Sequence, residues 1–187
     1  MMVQELYPQF QVILVPGLHN SSSDHWQSLW HASHPEFVRV EQDDWGSADL
    51  PAWTARLDQV RARDARPALF VAHSFGCLAT VASIHAHPHG VAGALLVAPA
   101  DPHKFAVEAV LPHGVLAAPS TLISSRDDPW MQAGVAALWA RRWGCHWIDA
   151  GAVGHINAAS QLGDWPAGRA ALQELYERAH LQPLTMV

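Results

Sequence analysis

Two cysteines are all that the chain offers for covalent cross-linking, and Cys77 and Cys145 lie far apart in apolar surroundings. That scarcity excludes a disulfide framework and fits reduced core residues of a cytoplasmic protein. Charge is also sparse. Only 15% of residues are charged, with 11 Lys plus Arg against 17 Asp plus Glu. The formal charge of -6 argues against a nucleic-acid partner, because phosphate binding needs clustered cations. No apolar run is long: the longest, residues 91–100, is about half of what a membrane span requires. The opening MMVQELYPQF carries an acid and lacks a long apolar core, so no signal peptide is expected. Nucleic acid and membrane both drop out as expected partners.

What the chain does have is hydrophobic residues at half of its 187 positions, enough for a sizeable core. The length fits one domain spanning residues 1–187. Short apolar runs alternate with longer amphipathic stretches. Expected strands are QVILV (11–15), FVRVE (37–41), ALFVA (68–72), AGALLVA (92–98), STLISS (120–125) and CHWIDA (145–150). Expected helices lie near 24–33, 51–63, 75–86, 103–109, 130–142 and 166–180. Apolar strands without alternation, each followed by a helix-length segment, predict an α/β fold. Its parallel sheet should have about six strands, covered by helices on both faces. The connection from Pro99 to Pro119 has room for one short helix and a turn, so no lid domain is expected.

In such a sheet, active sites form beyond the carboxyl ends of the strands, where the strand order switches. PGLHNSSSDHW follows the first strand, HSFG the third, RDDPW the fifth and GAVGHIN the sixth. Reactive residue types gather there, whereas ARDARP (62–67) at the opposite end carries ordinary solvated charge. Ser74 lies in A-H-S-F-G, a G-x-S-x-G pattern with Ala72 in place of the first glycine. Small residues let a sharp strand–turn–helix lift a serine oxygen above the sheet edge. A helix-capping serine is the plain alternative, but the flanking strand and helix supply the context of a nucleophile. A serine hydroxyl then needs a base within hydrogen-bond reach. Chains with this elbow carry the acid and then the histidine further on. Asp127 and Asp128 follow the fifth strand, and His155 follows the sixth. Among thirteen histidines, His155 alone could be an exposed loop residue. Ser, Asp and His at three strand ends read as a nucleophilic site. The developing oxyanion would need two donors, expected from the backbone N–H groups of Phe75 and Leu18.

Four separated segments, VPGLHNSSSDHWQSLW, VAHSFG, SSRDDPW and GHINAASQLGDWP, carry a resemblance. Together they resemble the small serine-hydrolase family of the α/β-hydrolase fold, which includes proteins of the retinoblastoma-binding protein nine type. The similarity runs from about residue 11 to residue 175. It implies a nucleophile at Ser74, an acid at Asp128 and a base at His155. Between the neighbouring acids, the backbone also favours Asp128. Asp128 precedes Pro129, which holds it extended at the loop bend, whereas Asp127 is free to stay solvated or to bond within the loop.

HAHPHG (85–90) offers three alternate histidines, but no acid or cysteine joins them, and they suit a helix C-terminus; no metal is expected. Trp26 and Trp30, like Trp139 and Trp143, are spaced for packing along one helix face. Trp130 and Trp165 flank the acid and base loops and, with His19 and His73, are expected to wall the cleft. The expected activity is hydrolysis of a small-molecule, ester-type acyl substrate through an acyl-enzyme, without a cofactor; thioesters and amides, which share the mechanism, stay open as substrates. The rival is a protein that keeps this fold as an interaction surface, with no partner indicated.

Overall fold

The computed structural model describes residues 6–181. Its elements alternate as the sequence patterning predicts: β1 (Gln11–Val15), α1 (Trp26–Ser33), β2 (Val38–Arg39), α2 (Leu50–Arg61), β3 (Ala68–His73) and α3 (Phe75–Ala86). They continue with β4 (Val91–Val97), β5 (Ser120–Ser124), α4 (Ala133–Trp143), β6 (His146–Asp149) and α5 (Pro166–Leu181). All strand pairs are parallel, in the order β2-β1-β3-β4-β5-β6.

Every residue of β1, β3, β4 and β5 is buried, which is why these strands read as continuous apolar runs. Their alternating side chains feed two cores. Ile13, Val15, Phe70 and Leu96 meet Trp53, Leu78 and Trp139 from α2, α3 and α4 on one face. Val12, Leu14, Val71 and Leu95 meet Trp26, Trp30 and Leu175 from α1 and α5 on the other. From β1 the chain first adds β2 on one side and then β3 on the other. The switch in direction therefore lies between the carboxyl ends of β1 and β3, the place where open α/β sheets bind ligands.

Two elements differ from expectation. Residues 103–109 form turns and a single 3-10 turn at Glu108–Val110 rather than a helix, because Ala106 takes a left-handed backbone (φ 53°) that an α-helix does not admit. The second strand pairs with β1 over only two residues, as fits an edge position. The β4–β5 connection thus carries no inserted lid. Among the described residues, no helix is long and apolar enough to cross a membrane.

Candidate active site

β3 delivers its chain, fully buried, to Ser74, whose backbone sits at φ 53° and ψ -124°. A non-glycine residue in that region stores roughly 1–3 kcal/mol and persists only where its neighbours impose it. Here they do. The Ser74 N–H donates to Val97 O (3.0 Å), and the Ser74 carbonyl accepts from Cys77 (3.0 Å) and Ala100 (3.1 Å). Two glycines close the turn against β1. A Cβ on Gly17 would lie 2.7 Å from the Ser74 Cβ, and one on Gly76 would lie 2.5 Å from the carbonyl oxygens of Val15 and Pro16. Ala72, in the place of a third glycine, fits within the core without exposure.

The loop after β6 brings His155 over this turn. Its Nε2 lies 3.0 Å from Ser74 Oγ, and its Nδ1 lies 2.9 Å and 3.0 Å from the two carboxylate oxygens of Asp128. The carboxylate keeps a proton on Nδ1, leaving Nε2 free to accept one from the serine. The Asp128 side chain is 1% exposed and also accepts the Trp130 N–H (2.9 Å). Its neighbour has a different task. Asp127 accepts the Gly154 N–H (2.8 Å) and the Ser125 hydroxyl (2.8 Å), tying the acid loop to the base loop. The Gly154 N–H, followed by the Ser125 hydroxyl, holds the Asp127 carboxyl below the usual carboxylate range.

Consecutive carbonyls of the base loop are held by side chains from elsewhere. His73 Nε2 donates to His155 O (2.9 Å), and the Trp26 indole donates to Ile156 O (2.8 Å). Trp30 reaches further along the same loop, donating to Asp164 O (2.7 Å). Besides packing along α1 as their spacing predicts, the two tryptophans therefore hold the base loop.

Sequence reasoning placed four residues on the cleft wall, and the structure corrects two. His19 and Trp130 line the cleft with Leu18 and Ser74. His73 does not. It is buried behind His155, because the strand that carries it ends beneath the base loop. Trp165, 6% exposed, packs on Trp26 and Trp30 in the core. The Leu18 and Phe75 N–H groups have no hydrogen-bond partner among the described residues, whereas His19 N–H is taken by Trp45 O (2.9 Å). The cleft lined by Leu18 and Ser74 measures about 810 Å³.

Two supporting residues escaped the sequence analysis. Gln27 donates to Val71 O (3.0 Å) and Val15 O (3.3 Å), joining the ends of β1 and β3 from inside. His25 caps α1, its Nδ1 accepting the Gln27 N–H (3.1 Å), and its ring stands 4.8 Å from that of His73. Only the short stretch DHWQ before and within α1 could have signalled them, as polar residues beside a buried tryptophan.

Burial, aided by the Arg39 charge, pushes His25 down from 6.5 to about 4, and burial also holds His73 well below its ordinary range. Both are neutral at physiological pH. The unfolded chain takes up the His25 proton first, so stability is full above about pH 6.5 and is lost as pH falls toward 4. His25 alone contributes roughly 3 kcal/mol to that loss. Asparagine would keep the capping acceptor without the titration. Urea unfolding of His25→Asn between pH 6.5 and 4.5 should therefore show a shallower fall in stability than the native chain. An unchanged slope would mean that His25 titrates alike in both states.

The serine hydrolase family profile matches residues 12–174. Among solved structures, a protein of Pectobacterium atrosepticum described as a YdeN-like hydrolase is 35% identical, with a TM-score of 0.89 over 92% of this chain and 93% of its own. The ydeN gene product of B. subtilis is 18% identical, with a TM-score of 0.72 over 90% and 99%. A Bacillus cereus carboxylesterase shares the fold at 14% identity, with a TM-score of 0.61 over 94% and 91%. No curated protein matches the sequence.

Proposed function

Since the chain belongs to the serine hydrolase family, we propose that it hydrolyses small esters with Ser74 as nucleophile, His155 as base and Asp128 as the orienting acid. The observation that carries this reading is the unbroken run of bonds from Ser74 Oγ through the imidazole to Asp128. As Ser74 Oγ attacks the ester carbonyl, its proton passes to His155 Nε2. Asp128 stabilises the imidazolium. The oxyanion is received by the Leu18 and Phe75 N–H groups, which have no competing partner among the described residues. His155 then protonates the departing alcohol, leaving an acyl group on Ser74. Water, activated by the same imidazole, releases the acid and restores the serine. Neither metal nor cofactor enters the proposal. The unpaired thiols of Cys77 and Cys145 accord with a reducing, cytoplasmic setting.

The open cleft and the missing lid support short acyl groups, because little apolar surface is available to bury a long chain. A fluorophosphonate probe should label the native protein stoichiometrically, on the peptide that contains Ser74. Acetyl and butyryl esters should be cleaved with higher kcat/KM than octanoyl esters, without a jump in rate when the substrate forms emulsions. Preference for long, emulsified esters would refute the size assignment. An unlabelled, folded protein would instead favour the interaction-surface reading.

A further inference from the structure

Lys104 is the only lysine in the sequence, and it lines the cleft that holds Ser74. Its Nζ donates to Trp130 O at 2.7 Å and forms no ion pair among the described residues. That sets it apart from seven arginines, each of which is paired with a carboxylate. Neither Asp101, three residues before it, nor Asp128 forms an ion pair with it among the described residues. Asp101 accepts the His103 N–H (3.0 Å), and Asp128 is enclosed by His155 and the Trp130 N–H. Among the described residues no Asp or Glu lines the cleft, although acids outnumber Lys plus Arg in the chain by 17 to 11. An unneutralised cation at the rim of a cleft without acids favours an anionic ligand there. Beside it stand two apolar surfaces, the half-buried Phe105 ring and the Trp130 indole, which is 60% exposed.

From this arrangement we propose that the natural substrate is an ester bearing a carboxylate away from its scissile carbonyl. Lys104 pairs with that carboxylate, while the hydrocarbon or aromatic part between the two groups lies against Trp130 and Phe105. A single ammonium, with no arginine fork beside it, suits one carboxylate better than a phosphate, which calls for several donors. The lysine sits across Trp130 from the acid loop, since the Trp130 carbonyl receives Lys104 and its N–H reaches Asp128. It therefore selects substrate without touching the reacting atoms. This inference rests on the esterase reading above.

Two matched pairs of esters test it. The para-nitrophenyl monoester of adipic acid against para-nitrophenyl hexanoate places the charge on the acyl side. The para-acetoxybenzoate ion against its methyl ester places it on the alcohol side. In at least one pair, the native enzyme should prefer the anionic ester by about tenfold or more in kcat/KM at low salt. The ratio should shrink as salt is raised. Lys104→Gln keeps a donor for the Trp130 carbonyl but loses the charge, and should bring the ratio to about one. Lys104→Arg should retain the preference. A native ratio near one in both pairs, or a preference that survives in Lys104→Gln, overturns the proposal. Cleavage of the neutral esters without any anionic preference would remove this inference alone. A native protein that neither cleaves an ester nor takes the fluorophosphonate label would remove the esterase reading, and this inference with it.

Discussion

Replacing Ser74 with alanine should lower ester hydrolysis by about a millionfold while leaving the chain folded. The hydroxyl is the group at the turn placed to attack an acyl carbon, and among the described residues its one side-chain partner is His155 Nε2. The fold depends on the backbone of Ser74, through its bonds to Val97, Cys77 and Ala100, and on the Cβ that fits against Gly17. Alanine keeps both. It also keeps the strained φ, so it neither relieves nor adds to the cost of the turn. The variant should show native circular dichroism, no fluorophosphonate labelling and only a residual rate supplied by the oxyanion donors. A folded Ser74→Ala protein that keeps most of its activity would move the nucleophile elsewhere.

Asp128→Asn should lower the acylation rate by about 10⁴-fold, and Asp127→Asn by less than about tenfold. The two side chains are neighbours, but they meet different partners. Asparagine at 128 can still accept the Trp130 N–H, so the loop stays formed. Its amide would donate to His155 Nδ1, however, and drive the imidazole proton onto Nε2, where it blocks acceptance from Ser74. At 127 the needed function is acceptance alone, from Gly154 N–H and the Ser125 hydroxyl, and an amide oxygen supplies it. Single-turnover acylation of both variants at one pH separates them. The assignment fails if Asp127→Asn is the more damaging change.

Much of this arrangement was legible because it is local. The strand, turn and helix around Ser74 announce themselves in ALFVAHSFGCLA, and Pro129 singles out Asp128 within RDDPW. The apolar runs fix β1, β3, β4 and β5 because those strands are buried on both faces. What stayed illegible depends on contacts between distant segments. Nothing in HSFG tells that His73 turns inward under the base loop, or that Trp165 packs on α1 instead of the cleft. The helix expected at 103–109 has adequate composition, yet the chain breaks it at Ala106. That break leaves Lys104 beside Trp130, a placement visible only in three dimensions.

The base loop has no regular secondary structure around His155, and donors and acceptors at 26, 30, 73, 125, 127 and 128 hold it in place. These belong to the first helix, the third strand and the segment after the fifth. Each is a separate point at which the ring of contacts can open. Activity therefore reports the integrity of the weakest of these junctions, not the global unfolding equilibrium. In a denaturant series, catalysis should fade before the far-ultraviolet signal does. The interval between the two measures how loosely the most fragile junction is closed.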